Sequence, residues 1–256
     1  FTMDEHGEGI ISEILPRANY LIRKSTKKSS QAHIIAANID QAILVASLIY
    51  PRTSVGFIDR YLVSADSFRI PAKIIFNKSD LLNDSLLELH DYLAKVYDDI
   101  GYENILISAE KDKDLNIVES WLTGRKSLIS GHSGVGKSTI LNRINPGLKL
   151  PTDEVSNFAN KGKHTTTFAQ MIELEENTYV IDTPGIKELG LIDMESWEIS
   201  HYFPEMRDKL GQCKFKNCLH INEPGCVVLE ALEREEIAET RYDSYVSMII
   251  DDDNRR

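Results

Sequence analysis

Cysteine, basic charge and long apolar runs are all scarce in this chain, and each shortage excludes something. Only three cysteines occur in 256 residues; so small and odd a number rules out a disulfide framework of the kind that staples secreted mini-domains. The longest apolar run, "AILVASLIY" from Ala42 to Tyr50, falls far short of the roughly 20 residues that cross a bilayer as a helix. No signal-like opening precedes it, so the expected location is cytoplasmic, with no membrane partner. Lys and Arg number 29 against 40 Asp and Glu, a net charge of −11, which excludes a protein coated all over with phosphate-attracting surface. Internal repeats and low-complexity stretches are missing as well.

Acid is absent in one place. No Asp or Glu lies between Ile14 and Ile39, where Arg17, Arg23, Lys24, Lys27 and Lys28 cluster. Such a patch is either a solvated loop or a contact for nucleic acid. What is abundant is core material: 42% of residues are hydrophobic, enough for one large domain with smaller ones attached. The first residue is Phe1 rather than an initiator methionine, so a preceding segment is expected.

Short β-like runs alternate with helical patterns, which predicts an α/β fold, a parallel sheet with helices on both faces. The strands are expected at 41–47, 72–76, 104–107, 126–129, 168–174 and 178–181. In "NDSLLELHDYLAKVYDDI", Leu86, Leu89, Leu93, Val96 and Ile100 recur at helical spacing behind a capping Asn83 or Asp84, an amphipathic helix packed on a sheet. Three units follow: residues 1–36 as part of a small barrel with its linker, 37–190 as the α/β domain, and 191–256 as a helical unit that includes "VVLEALEREEIAET" and the segment from Arg241 to Ile250.

Gly131, Gly136, Lys137 and Ser138 fit G-x-x-x-x-G-K-[ST] between a strand and a helix. Glycines let the backbone curl so that N–H groups from Gly131 through His132, Ser133, Gly134, Val135, Gly136 and on to Thr139 face a nucleotide's phosphates at a helix N-terminus. Lys137 is expected to reach the β- and γ-phosphates and Ser138 to ligate Mg²⁺. "IDTPG" ends a later strand; Asp182 suits a water-mediated Mg²⁺ contact and the Gly185 N–H suits the γ-phosphate. "NKSD" follows the strand "AKIIF". A buried Asp80 carboxylate there accepts both N1–H and N2–H of guanine, a donor pair that adenine lacks, so GTP is selected over ATP. Lys78 is expected to lay its stem along the base, and Asn77 to tie this loop to the phosphate loop. "SAE" supplies Ser108 and the Ala109 N–H for the guanine O6. The base pieces come first in the chain, whereas they ordinarily follow the phosphate loop: the domain is circularly permuted.

This permuted order, with "GHSGVGKST", "GKHTTT" and "DTPG", resembles the ribosome small-subunit-dependent GTPases, the RsgA (also YjeQ) family, from about Gly9 to Asp251. The resemblance implies the later part of an N-terminal OB-fold, a circularly permuted P-loop GTPase domain and a C-terminal helical zinc-binding domain. It also implies late maturation of the small ribosomal subunit, with that subunit and its rRNA as partners that speed GTP hydrolysis. The first switch then holds Gly162, Lys163, His164, Thr165, Thr166 and Thr167. Thr166 is assigned to Mg²⁺, with Thr165 and Thr167 one register step away. His164 resembles a family histidine proposed to assist hydrolysis; a lone loop histidine is otherwise a solvated side chain. Ile186 stands where many GTPases carry a water-orienting glutamine, which predicts slow hydrolysis by the isolated chain.

The three cysteines fall within fourteen residues together with a histidine: Cys213, Cys218, His220 and Cys226 in "CKFKNCLHINEPGC". Three thiolates and an imidazole make a closed tetrahedral zinc set with no position left for water, hence a structural metal. The function expected is a GTP hydrolase, monomeric, carrying one zinc and binding Mg²⁺ with GTP or GDP. Its rivals are an RNA-binding assembly factor with negligible turnover and a GTPase switch with a non-ribosomal partner; turnover with purified subunits separates the three.

Overall fold

The computed structural model describes residues 2–3, 9–23, 33–150, 170–182 and 194–253. Two short antiparallel pairs come first, β1 (Thr2–Met3) with β2 (Gly9–Ile10) and β3 (Tyr20–Arg23) with β4 (His33–Ala37). Neither joins the main sheet, and no closed barrel forms among the described residues. Asn19 and Asn38 anchor the second pair: the Asn19 side chain donates to Ile39 O (2.8 Å) and accepts from Ile39 N (2.8 Å), while Asn38 Oδ1 accepts from Ala18 N (2.9 Å).

The main domain alternates β5 (Gln41–Ala46), α1 (Val55–Ser67), β6 (Ala72–Phe76), α2 (Asp84–Asp99), β7 (Asn104–Leu106), α3 (Asn116–Leu122), β8 (Lys126–Ser130), α4 (Lys137–Ile144), β9 (Gln170–Glu175) and β10 (Thr178–Asp182). The six strands form one sheet in the order β7-β6-β5-β8-β10-β9. β5, in its interior, is buried along its whole length, which is why "QAILVA" reads as a continuous apolar run rather than an alternating one. Its one polar member is satisfied: Gln41 Nε2 donates to Trp121 O (2.5 Å) and Ser127 Oγ (2.8 Å).

Alternate residues of the strands serve opposite faces. Ala42, Leu44, Ala46, Ile74 and Phe76 pack beneath Ile58, Tyr61 and Leu62 of α1 and Leu93 and Tyr97 of α2. On the other face Ile43, Val45, Ile75, Ile129 and Val180 meet Val118, Trp121 and Leu122 of α3 and Ile140 and Leu141 of α4. Helices thus cover both faces, as expected. The N-cap of α2 is Asn83, whose side chain accepts from Leu86 N at 3.0 Å.

Two expectations are corrected. The sheet is parallel only through β7, β6, β5, β8 and β10; β9 runs antiparallel to β10. A two-residue connection, Glu176 and Asn177 with Asn177 at φ 59°, joins antiparallel neighbours and is too short for a parallel crossover. "VVLEALEREEIAET" is also not one helix. α6 (Val227–Glu233) stops before Glu235, which takes φ 59°, and α7 (Glu239–Asp253) starts afresh.

The C-terminal unit adds a 3₁₀ segment (Ser196–Tyr202) and α5 (Pro204–Arg207). Its core of Ile199, Phe203, Met206, Val228, Ala231, Tyr245 and Met248 includes Val63 from α1. Beside it Arg241 of α7, fully buried, donates to Asp59 of α1 (2.6 Å) and to Glu205 of α5 (2.8 Å), and Tyr97 OH donates to the same Asp59 oxygen (2.9 Å). The guanidinium also lies 4.4 Å from the Phe203 ring centroid. Burial pushes the Asp59 carboxyl up, and the Arg241 charge and the hydrogen bonds to it pull the other way.

Candidate nucleotide and metal sites

The five parallel strands end at one edge of the sheet, where ligands of such folds collect. After β8 the chain turns through Gly131 (φ 146°), Gly134 (φ 82°) and Gly136 (φ 104°) before α4 begins at Lys137. Two of these glycines are required by space as well as by φ: a Cβ at Gly131 would strike Val45 O, and one at Gly136 would strike Asn77 Nδ2. Val135 is fully buried and anchors the loop in the second core face. His132 stacks on Phe57 of α1, with centroids 4.2 Å apart. Lys137 Nζ folds back over the loop to donate to Gly131 O (2.8 Å) and His132 O (2.9 Å). Ser138 and Thr139 lie half-buried in the first turn of α4.

Asn77, buried at the end of β6, is the hinge pin of the edge. Its Nδ2 donates to Val135 O in the phosphate loop (2.7 Å), and its Oδ1 accepts from Ala109 N in the loop after β7 (2.9 Å). The structure therefore brings Asn77, Ser108, Ala109 and the phosphate loop together. Lys78 has φ 72° and donates from Nζ to Tyr50 O at 2.9 Å. Ser108 Oγ donates to Asp80 Oδ1 (2.5 Å).

Two details differ from expectation. Asp80 is exposed rather than buried, and Ser108 Oγ is the side-chain donor to its Oδ1. The Ala109 N–H is taken by Asn77, so a base O6 there has to share or displace that acceptor. Asp182 ends β10 in register with Ile129 of β8, beside the phosphate loop. His164, Thr165, Thr166, Thr167, Gly185 and Ile186 lie outside the described residues, as do Lys24, Lys27 and Lys28 of the basic patch.

Sequence reasoning missed four participants. Asp112 Oδ2 accepts from Ser108 N (2.7 Å) and closes the loop on itself. Arg143, two turns into α4, donates to three carbonyls of that loop. Tyr50 and Pro51 border the site through Lys78 and Gly134. None has a spacing signal: an arginine in the last turn of a helix reads as a solvated charge on the helix dipole.

The second cluster lies in the C-terminal unit. Ligand atoms of Cys213, Cys218, His220 and Cys226 all lie within 4.8 Å of one another. His220 Nδ1 is 3.5 Å from Cys213 Sγ and 3.3 Å from Cys226 Sγ, and the two sulfurs are 3.9 Å apart. Tetrahedral coordination with metal–sulfur bonds of about 2.3 Å puts ligand atoms about 3.5 to 3.8 Å apart, so the set fits a metal ion. Its frame is built for it. Glu223 accepts from Leu219 N (2.7 Å) and Ile221 N (2.9 Å), and Tyr242 and Tyr245 donate to His220 O (2.8 Å) and Leu219 O (2.7 Å). Burial lowers the His220 pKa, favouring the neutral ligand form. Burial pushes the Cys218 thiol up to about 12, so a bound cation is what favours thiolate here.

Fold and site together define a class, a P-loop nucleotide-binding protein of the guanine type whose sheet is circularly permuted. Comparison with known proteins narrows this. The family profile described as RsgA GTPase matches residues 14–192, and the chain belongs to that family. It is 55% identical over 249 residues to the small ribosomal subunit biogenesis GTPase RsgA of Cytophaga hutchinsonii, covering 97% of this chain and 81% of that protein. Identity to the protein of the same name from Flavobacterium johnsoniae is 46% over 256 residues, 99% and 79% of the two chains. Among solved structures, YjeQ from Thermotoga maritima superposes with a TM-score of 0.79 at 38% identity, covering 97% of this chain and 80% of that one. YloQ, described as a circularly permuted GTPase, gives 0.77 at 31%, covering 99% and 78%.

Proposed function

We propose that this chain is a GTP hydrolase acting in biogenesis of the small ribosomal subunit, with its nucleotide held at the carboxyl edge of the six-stranded sheet. Family membership and the names of the relatives support the activity and the partner. The observation that carries the site is Asn77, which joins the phosphate loop to the loop after β7 through both ends of its amide.

In this reading Lys137 exchanges the carbonyls of Gly131 and His132 for the β- and γ-phosphates, and the N–H groups from His132 to Thr139 surround them. Asp80 pairs with guanine N1–H and N2–H, Lys78 covers the base, and Ala109 N–H meets O6. Mg²⁺ charge stabilisation is supplied when the ion is held by Ser138 and Thr166, with Asp182 behind it. Gly185 contacts the γ-phosphate and His164 assists hydrolysis. With Ile186 unable to orient water, turnover is slow until the subunit binds. The Cys₃His set holds zinc as a structural ion, since three thiolates and an imidazole leave no open position. Residues 1–36, 37–190 and 191–256 are the barrel portion, the GTPase domain and the zinc-binding domain of a monomer working in the cytoplasm.

The test is multiple turnover of GTP, with ATP as control, by the protein and by Asp80→Asn, each with and without small ribosomal subunits. The expected result is GTP turnover that subunits stimulate strongly and that Asp80→Asn abolishes. Equal use of ATP overturns the base site, and indifference to subunits overturns the ribosomal role.

A further inference from the structure

We infer that Arg143 is a positioning residue for base recognition: from the phosphate-loop helix it clamps the loop that presents Ala109 to the guanine O6. The inference rests on the guanine site proposed above and extends it to a side chain outside every motif. Arg143 Nη1 donates to Ala109 O (3.0 Å), while Nη2 donates to Asp112 O (2.6 Å) and to Lys113 O (3.2 Å). All three acceptors are main-chain carbonyls of one loop, so the planar fork fixes its backbone in a way that a single ammonium cannot.

The clamp completes a ring. The phosphate loop leads into α4; α4 holds the base loop through Arg143; the base loop is held by Asn77 through Ala109 N, and Asn77 returns to the phosphate loop at Val135 O. Inside the ring the loop also braces itself, with Ser108 N donating to Asp112 Oδ2 (2.7 Å), Lys111 N to Ser108 Oγ (3.0 Å) and Asp112 N to Ser108 O (3.1 Å). What those bonds leave undetermined is where the braced loop sits relative to the phosphates. Arg143 sets that distance together with Asn77, which bonds Ala109 N and Val135 O. Asp80 approaches the base from the end of a different strand, β6, and meets the braced loop through Ser108 Oγ (2.5 Å), so Arg143 acts directly on the O6 contact and reaches the N2 contact only through that side-chain bond.

This division gives a test with three diphosphate probes, GDP, 6-thio-GDP and IDP, and with ADP as the check on the site itself. The 6-thio compound replaces only the O6 acceptor with a larger, weaker sulfur, and IDP removes only the N2 donor. In Arg143→Gln the Kd for GDP is expected to rise about tenfold, the equivalent of losing one or two charge-assisted hydrogen bonds. The preference for GDP over 6-thio-GDP should fall towards unity while the preference over IDP changes much less. Arg143→Lys keeps the charge and loses the fork; it should retain part of the 6-thio preference and guards against a glutamine variant that does not fold. Equal weakening towards all probes, with both preferences intact, makes Arg143 merely structural and overturns the inference, as does an unchanged Kd. A parent protein that binds ADP as well as GDP overturns the guanine site first and this inference with it.

Discussion

At the scale of single residues, the nucleotide edge depends on atoms that are missing as much as on atoms present. Gly136 holds φ 104° directly against the Asn77 amide. Gly136→Ala places a methyl group there in a left-handed conformation that costs about 1–2 kcal/mol for an L-residue before any overlap is counted. The variant should bind GDP at least about tenfold more weakly and melt at a lower temperature, in nucleotide titration and thermal unfolding. The phosphate loop, "NKSD", "SAE" and the Cys₃His set were legible because each obeys a spacing that chemistry imposes. Arg143 and Arg241 were not legible, since their partners lie 30 to 34 and 36 to 182 positions away, and no local pattern marks an arginine whose acceptors are remote.

At the scale of elements, α1 has two employers. Its first turn carries Phe57, stacked on His132 of the phosphate loop, and its middle carries Asp59 and Val63, which belong to the C-terminal unit's packing. The helix thus touches the phosphate loop at its start and the C-terminal unit's core along its middle. Removing the cation from the Asp59–Arg241–Glu205 group strands two carboxylates, one of them with no accessible surface, and stranding buried charge costs about 3–5 kcal/mol. Arg241→Met should therefore lower the urea midpoint by that amount of stability with little change in slope. Changing Asp59 to Asn, Glu205 to Gln and Arg241 to Met together should recover much of the loss, because no buried charge is then left unpaired. Element reading from sequence succeeded for β5 to β8, short apolar runs between turn residues, and for α2, where helical periodicity is strong. It failed for the direction of β9, which is decided by the two residues of its turn, and at Glu235, where a left-handed residue interrupts an otherwise helical pattern.

At the scale of the whole molecule, the described residues form three distinct apolar cores; α1 gives Val63 to the C-terminal one and Ile58, Tyr61 and Leu62 to one face of the sheet, and nothing to the core that holds Val135, so losing the C-terminal packing costs stability without dismantling the phosphate loop's anchor. With the proposed metal in the Cys₃His site, a strong chelator should weaken the near-ultraviolet dichroism of Tyr242 and Tyr245, whose hydroxyls hold the ligand loop, and lower the melting temperature. GDP binding should persist below the new transition, because the phosphate loop is anchored in a different core. Cys218→Ser should reproduce the chelated state without any chelator.

The permuted strand order also bears on how the chain is made. β5 pairs with β8 in the finished sheet, and Gln41 bonds Ser127 across 86 positions. At the roughly 5–20 residues per second of protein synthesis, that partner follows after about 4 to 17 seconds. During this interval β5 and β6 are a sheet with an open edge, Asn77 has no phosphate loop to bond, and nucleotide has nothing to grip. On the proposed reading, a nascent chain halted after Leu122 is a guanine pocket without a floor, and ligand-driven stabilisation of the domain begins only when Thr139 has cleared the tunnel.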